Sequence, residues 1–468
     1  MMNEKPTLKA LLATSGGKKL LFLGKEGIFT EKERERFLKG FDVTPVKYLE
    51  EDVIGVVEHQ RLNPVEEDIS NDAYERGIPI YKLTEFEQLL SEEIDDNALL
   101  MAIKLGNDQE RIVRLLGNEH LSDALFVRLL KLYTFDEEDE DNRQDRDVIM
   151  YTLRRYIDIK PNEEDLLYSY LTLRRLATEA TDPELLKALM GFPDFTFLVR
   201  GKESVTLKET IARNPHFDEE SVRKLLAYRA IKIDRALAGN PAVSGEVLKH
   251  LLAKDDAQID RAMAANETID DEIFGALLEK ERETVSLLLV HQPITMQRLA
   301  QVEARGVEAD LFALLGANET LDPEVVKTLV QKQERQLLEM LAGNKSLPGD
   351  VLEQIYRMGI PETYPALAAN PNTPTGIIEA LYAFAGEDTA MLAALGRNPS
   401  LPEPLLRALF EREKLEINRA LATNASLPHE LLDILKIDTR LQNELAQNEQ
   451  LARSYEEVLN QNKAMMNV

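Results

Sequence analysis

Apolar residues recur along most of the chain in short runs with helical spacing, and a polar corner interrupts the runs at a regular interval. Around Asn344, one apolar set precedes the corner and another follows it: Leu337, Leu341 and Ala342, then Val351, Leu352 and Ile355. Spacing of three and four residues is typical of one face of a helix. The pattern therefore predicts two short helices in each interval, joined by a tight corner.

An asparagine marks each corner and returns with a period of mostly 26 residues. The corner positions are Asn118, Asn214, Asn240, Asn266, Asn318, Asn344, Asn370, Asn398, Asn424 and Asn448, with Gln292 in place of one asparagine. A fixed period is the signature of a repeat protein, in which each unit buries its apolar face only by stacking on its neighbours. The sequence predicts an all-α solenoid of two-helix repeats.

We expect each corner asparagine at the end of the first helix, in the left-handed conformation, with its amide bonded to local backbone. The residue two positions earlier is small in almost every copy, which allows successive helices to approach closely: Ala212, Ala238, Ala264, Gly316, Ala342, Ala368, Gly396, Ala422 and Ala446. We interpret the asparagines as structural repeat corners, in preference to a ligand site.

The start of the second helix is marked by proline or by a capping residue. Proline suits the first helical turn, where its missing N–H has no intrahelical use, and it occurs at Pro348, Pro374, Pro402 and Pro428. In other copies the position holds side chains that can accept from the free amides of the first turn: Ser122, Asp218 and Ser244, with Asp322 just before Pro323.

Residues 1–92 have a different pattern. Strands are predicted at 19–23, 42–48, 53–57 and 78–81, and helices at 30–38, where Thr30 to Glu33 form a capping box, at 66–76, and after a cap at Thr84. The order βαββαβα describes a small α+β domain with a four-stranded sheet.

Residues 93–200 are predicted to be irregular helical repeats, and residues 201–468 the regular solenoid. Opening helices are expected at 97–116 and 125–132, and residues 450–468 are expected to cap the far end. The loop 135–147 contains an acidic run, but it lacks the alternating ligands and the glycine of a calcium loop, so we interpret it as solvated.

Composition narrows the possible functions. The chain has no Cys, which excludes disulfides, thiolate metal sites and cysteine nucleophiles. No apolar stretch resembles a signal peptide or a membrane span, so we expect a cytoplasmic protein without membrane contact. The six histidines lie far apart and no catalytic motif is present, so we expect no enzymatic activity, cofactor or metal. A net charge of −27 argues against nucleic acid as the main partner.

The repeats resemble the leucine-rich-repeat variant family of bacteria, most clearly in residues 236–241 (ALAGNP), 366–374 (ALAANPNTP) and 395–402 (LGRNPSLP). The resemblance implies a superhelix of alternating α and 3₁₀ or short α helices, without strands in the repeats. The period of 26 is longer than that of the family, so the second half of each unit is expected to be a full α-helix, as in HEAT-like solenoids.

The N-terminal domain resembles the BRCT domain, in particular that of bacterial NAD-dependent DNA ligases. The likeness rests on residues 16–24 (GGKKLLFLG) and 73–81 (AYERGIPIY), followed by Phe86 where the family has a Trp. BRCT domains that bind phosphopeptides place a Ser or Thr before the first-turn Gly and a Lys in the second helix. Those positions are Leu23 and Asp72 here, so the resemblance argues against phosphopeptide binding and implies a BRCT domain of the structural or protein-contacting type.

One surface pattern recurs: Arg235, Arg261 and Arg419 occupy the same place in three units. They form a possible interaction stripe, or each pairs with an acid of its own or the next unit, which we favour. The function predicted is a non-enzymatic protein–protein interaction scaffold with unidentified protein partners. The alternative is a DNA-repair-linked helical-repeat protein that binds nucleic acid.

Overall fold

The computed structural model describes residues 6–25, 27–136, 142–158, 170–198 and 203–448. They belong to two compact units, Met1–Arg229 and Ala230–Val468. Most of the described residues are helical and a small parallel sheet lies near the N-terminus, so the predicted mostly helical class is confirmed. The domain boundaries at 92 and 200 remain predictions.

The first part of the first unit contains a four-stranded sheet in the order β2-β1-β3-β4, with all neighbouring strands parallel. Its elements are α1 (Leu8–Ala13), β1 (Lys18–Leu23), α2 (Glu31–Lys39), β2 (Val43–Val46), β3 (Val53–Glu58), α3 (Pro64–Glu75), β4 (Ile80–Lys82) and α4 (Leu83–Glu93). The predicted order of four strands is confirmed, and α1 is an addition. Thr84 does not cap the last helix, because α4 begins at Leu83 with Lys82 in the cap position.

Both faces of this sheet are covered, which is the usual condition of parallel strands and explains their apolar runs. Leu20 and Leu21 of β1 are fully buried, as are Val56 and Val57 of β3. Phe86 of α4 is fully buried, with its ring 5.0 Å from that of Phe22 in an edge-to-face arrangement. The sheet and α4 therefore share one core.

Short helices form the remainder of the first unit. They are α5 (Asp96–Gly106), α6 (Gln109–Leu116), α7 (Asp123–Leu130), α8 (Arg143–Tyr156), α9 (Tyr170–Glu179), α10 (Pro183–Leu189), α11 (Leu207–Arg213) and α12 (Glu219–Ala227). The predicted opening helix is divided at Asn107, a left-handed residue with φ 45°. Residues 137–141, most of the acidic run, lie outside the described residues.

A short antiparallel strand pair interrupts these helices. β5 (Thr196–Phe197) pairs with β6 (Val205–Thr206). The prediction of helical repeats from residue 93 onward is therefore wrong at this place. β-branched and aromatic residues favour the extended conformation, and the four residues of the pair are all of these types.

The second unit alternates first and second helices of the sequence repeats. Its helices are α13 (Ile231–Ala238), α14 (Gly245–Leu252), α15 (Ala257–Ala264), α16 (Asp271–Leu277), α17 (Arg282–His291), α18 (Met296–Arg305), α19 (Ala309–Ala313), α20 (Pro323–Gln331), α21 (Arg335–Gly343), α22 (Gly349–Arg357), α23 (Tyr364–Ala369), α24 (Thr375–Ala385), α25 (Thr389–Arg397), α26 (Glu403–Phe410), α27 (Leu415–Ala422), α28 (His429–Leu435) and α29 (Gln442–Leu445). Within residues 230–448, three 3₁₀ segments accompany them, Leu314–Ala317, Pro361–Thr363 and Thr439–Leu441.

Each first helix packs against the first helix of the next repeat, for example α13 on α15, α21 on α23 and α25 on α27. Between Asn214 and Asn448 the described residues contain no strand pair, only a single parallel bridge from Ile294 to Leu321. The last corner, Asn448, is the final described residue, so the predicted cap at 450–468 lies outside the described residues.

The second helices begin one residue later than the prolines suggest. Pro348, Pro374, Pro402 and Pro428 occupy the cap position itself, with ψ between 137° and 157°, whereas Pro323 is the first helical residue after the cap Asp322. The cap residue, like the first turn, has no intrahelical use for its N–H, so proline is tolerated there as well. The Ser122 and Asp218 side chains accept from first-turn amides as expected, and that of Ser244 does not.

No helix among the described residues combines the length and the apolar character required to cross a bilayer.

Candidate functional site: the asparagine ladder and its neighbouring surfaces

The corner asparagine Asn344 is buried at the end of α21 and has extended backbone geometry, with φ −72° and ψ 114°. The expected left-handed conformation is therefore wrong, and Asn318, Asn370 and Asn398 are likewise extended. An extended residue turns the chain sharply away from the helix axis and leaves the side chain amide inside the corner. The asparagine acts through its side chain more than through its backbone conformation.

Left-handed residues occur in most of the other turns, which connect a second helix to the next first helix. Their φ values are close to 52° at Arg229, Asp255, Gln333 and Glu413, and Gly306 and Gly359 have φ 67° and 69° in corresponding turns. The sequence signal for this turn was weak, because glycine, the residue that favours positive φ, is present in only some copies.

Each corner amide reaches back to the preceding corner. Asn344 Nδ2 donates to the carbonyl oxygens of Gly316 at 2.9 Å and Asn318 at 2.7 Å. The same two bonds, one to the preceding corner residue and one to a residue two or three positions before it, are made by Asn266, Gln292, Asn318, Asn370, Asn398, Asn424 and Asn448. We call this continuous row of buried amides the asparagine ladder.

The amide oxygen closes the corner locally. Asn344 Oδ1 accepts from the N–H and the hydroxyl of Ser346 at 2.9 and 2.7 Å. The corresponding N–H two residues on donates to the corner oxygen at Asn118, Asn214, Asn240, Asn266, Asn318, Asn370, Asn398 and Asn424. Only a side chain with both a donor and an acceptor can satisfy the two sides, which explains why the corner is an amide.

Gln292 donates the same two hydrogen bonds to the preceding corner, but its side-chain oxygen accepts from a different partner. Gln292 Oε1 accepts from Nη1 of Arg298 at 3.3 Å, and the same guanidinium donates to Pro293 O at 3.0 Å and to the Asp271 carboxylate at 2.7 Å. Arg298 is buried and lies over the Phe274 ring. The sequence analysis missed this arginine, although its nearness to the one irregular corner was a signal.

Two corner asparagines, Asn118 and Asn214, lie in the first unit and bond to preceding helices of that unit. Asn214 Nδ2 donates to Ala177 O at 3.0 Å and Ala180 O at 2.9 Å. Asn118 Nδ2 donates to Ser91 Oγ of α4 at 2.8 Å, and this hydroxyl donates to Glu87 O at 2.6 Å. Helix α4 therefore serves both the sheet and the first corner.

The small residue before each corner lies where consecutive first helices meet. A Cβ added at Gly316 would come within 2.7 Å of Met340 Cβ, 2.8 Å of Leu341 N and 2.9 Å of Leu337 O. Distances below 3 Å to backbone atoms cannot be relieved by side-chain rotation. The close approach expected from the small residues is thus tightest at Gly316.

The three arginines of the possible stripe contact polar groups of the following repeat. Arg261 pairs with Glu281 at 2.7 Å and Glu283 at 3.1 Å, and its hydrogen bond to Glu281 raises its pKa. Arg419 pairs with Glu444 at 3.4 Å, and Arg235 hydrogen-bonds to Gln258 at 3.5 Å. The geometry favours ion pairing between repeats for Arg261 and Arg419.

Two buried acids lie next to these arginines. Asp234 pairs with Lys254 at 2.6 Å and Asp260 with Lys280 at 3.2 Å, and burial raises the pKa of Asp260. Oδ1 of both carboxylates is buried and has no hydrogen-bond partner among the described residues. These acids lower the positive potential around the arginines.

At the turn after β1 a protein carboxylate occupies the donors that an anion would use. The Gly24 N–H, in a left-handed turn with φ 92°, donates to Glu66 Oε1 at 3.1 Å, and the other oxygen of Glu66 accepts from Asn63 N at 2.9 Å. Leu23 is buried and Asp72 is exposed. This arrangement opposes the binding of a phosphate.

In the described ranges, no three His, Asp or Glu side chains are grouped so that they could hold a metal ion. Comparison of the chain with protein-family models, with curated protein sequences and with solved structures finds no match.

Proposed function

We propose that this protein is a non-enzymatic scaffold for protein–protein interaction, in which an α-solenoid of leucine-rich-repeat-variant type offers an extended surface and a BRCT-like head docks a second partner. The asparagine ladder is the observation that supports this proposal most. Buried amides that bond from one corner to the next hold consecutive first helices in register. Helices in fixed register present their outward side chains as one surface, which repeat proteins use for recognition.

Three features support a BRCT-like head. The sheet has four parallel strands with flanking helices. Phe86 fills the core at the position of the usual Trp. Gly24 forms a tight turn after the first strand. Because Glu66 already occupies the donor of that turn, we assign the head to contacts with unmodified protein.

The alternative function is DNA-repair-linked binding of nucleic acid. It is favoured by Arg235 and Arg261, which stand at equivalent places on α13 and α15. Affinity for duplex DNA grows with the number of phosphates that cations neutralise. Arg261 is already paired with two glutamates, and the chain carries a net charge of −27. These observations favour the scaffold.

Affinity capture of the full-length chain from its native cells, with and without nuclease, separates the two functions. A scaffold should retain the same protein partners, in near-stoichiometric amounts, after nuclease treatment. In parallel, fluorescence anisotropy with a labelled duplex of about 20 base pairs at two salt concentrations should give no dissociation constant below about 10 μM at physiological salt.

The matched variants are an Arg235→Ala, Arg261→Ala double variant and, as a control, Arg223→Ala, which removes an exposed arginine paired with Glu219 of the same helix. Sub-micromolar DNA binding that weakens steeply with salt and is lost in the double variant alone would replace the scaffold by the DNA function. Loss of all captured proteins on nuclease treatment would do the same.

A further inference from the structure

Helix α5 is apolar on two sides. Its buried side consists of Leu99, Leu100 and Ile103. The opposite side carries Ala98, Met101, Ala102 and Leu105, a spacing that places all four on one face. Met101 is 67% exposed and Leu105 is 84% exposed. Helices that are apolar all round are normally buried, so this face lacks a covering element in the part of the chain that the structure describes.

A cavity of about 900 Å³ opens beside the same face. Ala98 and Ala102 of α5 form one wall of the cavity. The other wall is formed by Phe37 of α2 and by Phe41, which follows the end of α2. Ile94 lies in the connection between α4 and α5. Ala98 and Ala102 belong both to the cavity wall and to the exposed face of α5, so the cavity and the face adjoin. We call the combined apolar surface the α2–α5 groove, defined by Phe37, Phe41, Ile94, Ala98, Met101, Ala102 and Leu105.

The acids around the groove are already engaged. Glu33 pairs with Arg111, Glu31 with Lys47 at 3.0 Å, and Glu93 with Lys9 at 3.0 Å. Asp95 caps α5 by accepting from its first amides. The carboxylates at the rim therefore have limited capacity to bind a cationic ligand.

Cations at the groove are not engaged in this way. Lys32 and Arg36 of α2 line it. Within the residues that the structure describes, neither side chain has an ion-pair partner within 4.0 Å, whereas three of the four carboxylates that line the cavity are paired with cations. Lys32 and Arg36 are therefore the charges at the groove that remain available to a ligand. An apolar groove with two available cations complements a helix that is apolar on one side and acidic on its flanks.

We propose that the α2–α5 groove binds an amphipathic α-helix of a partner protein, whose apolar face enters the groove and whose Asp and Glu residues meet Lys32 and Arg36. The inference rests on the proposed scaffold function and assigns a partner class to its head. Met101 suits this role because an unbranched thioether adapts to varied apolar surfaces. Exposed Leu105 extends the contact beyond the cavity.

The test uses the full chain and two fluorescent helical peptides of about 18 residues, long enough for several helical turns. Both carry Leu at i, i+3, i+4 and i+7, and they differ only in Glu or Lys at the flanking positions. We expect micromolar binding of the Glu peptide, at least about tenfold weaker binding of the Lys peptide, and weakening with salt. A Met101→Gln, Leu105→Gln double variant should lose at least about tenfold in affinity.

Leu198→Gln is the matched control, since Leu198 is 80% exposed and lies away from the groove. Circular dichroism shows whether each variant keeps its helices. Equal binding of both peptides, or binding that the double variant does not weaken, would overturn the proposal. So would a concentration-dependent dimer that the double variant abolishes, because a second copy would then cover the groove.

The capture experiment keeps the two proposals apart. If captured partners are unchanged in the Met101→Gln, Leu105→Gln variant and the Glu peptide does not bind, the scaffold function stands and the groove proposal is wrong. If the Glu peptide binds as expected but no protein is captured, the groove proposal stands and the scaffold function is wrong.

Discussion

Removing the amide of Asn344 tests the asparagine ladder at its centre. The side chain donates two hydrogen bonds to the preceding corner, at Gly316 O and Asn318 O, and accepts two from Ser346. Asn344→Asp is the sharpest change, because it preserves shape and the acceptor for Ser346 but replaces the donor by a carboxylate oxygen. Asn344→Ala removes all four bonds.

The expected cost follows from these bonds. A net hydrogen bond contributes about 0.5–1.5 kcal/mol, and a buried group left without its partner costs about 1–3 kcal/mol. Asn344→Asp leaves two carbonyl oxygens without this donor and brings a negative charge against them. We therefore expect a loss of about 3–5 kcal/mol at pH 7 for Asn344→Asp, and a similar loss for Asn344→Ala. The loss for Asn344→Asp should shrink in acid, because a protonated carboxyl can donate one of the bonds.

Urea unfolding of the full chain measures the total change, and hydrogen exchange with mass spectrometry locates it. Hydrogen exchange should accelerate most in peptides that cover 314–347, which lie on both sides of the lost hydrogen bonds. The exchange rates of peptides from the first unit should not change. The control is Lys345→Ala, an exposed neighbour, which should stay within about 0.5 kcal/mol of wild type.

The stabilising role of the ladder would be refuted if both Asn344 variants lost less than about 1 kcal/mol, a value ordinary for any substitution. If Asn344→Ala were destabilising but Asn344→Asp were neutral at pH 7, the local corner bonds would matter and the bonds between repeats would not.

Three further predictions concern other positions. Gly316→Ala should lower the stability by about 1–3 kcal/mol, as expected of overpacking, because the added Cβ would lie 2.7 Å from Met340 Cβ. The control is Gly343→Ala, whose Cβ would meet nothing closer than 3.9 Å and which should leave the stability unchanged. Thermal unfolding compares the two variants. Burial raises the pKa of Glu87, so the protonated side chain stabilises the fold in acid and this stabilisation is lost as the pH rises through the raised pKa. Glu87→Gln should therefore raise the melting temperature at pH 7 but not near pH 4. An equal gain at both pH values would contradict burial as the cause. The head should not bind phosphoserine peptides selectively in the micromolar range, because the Gly24 N–H already binds a carboxylate; calorimetry with matched phosphorylated and unmodified peptides measures this.

Much of the local structure was predictable. The strands at 18–23 and 53–58 appear in the sequence as apolar and β-branched runs, and the capping box at Thr30 marks the start of α2. The corner positions were visible because the same residue type returns at a period of mostly 26 residues. The first two signals depend on residues a few positions apart and the third on simple repetition, so all three can be detected in the sequence alone.

The part played by the corner asparagine was not predictable in the same way. Its extended conformation and its bonds to the preceding corner depend on a carbonyl 26 to 28 residues away along the chain, as for Asn344 and Gly316. The compensation of Gln292 by Arg298 also joins residues whose side chains meet only after the helices have packed. Sequence spacing indicates where such residues stand but not which way they face.

Helix α5 also separates what the sequence predicts from what the packing decides. Its sequence shows that both sides are apolar, yet only the packing of α2, α4 and the neighbouring helices decides that Leu100 is buried and Leu105 exposed. Periodicity and capping act within one or two helical turns and are therefore encoded locally. Burial and long-range hydrogen bonds depend on the relative placement of distant segments, which is established only when the whole chain has folded.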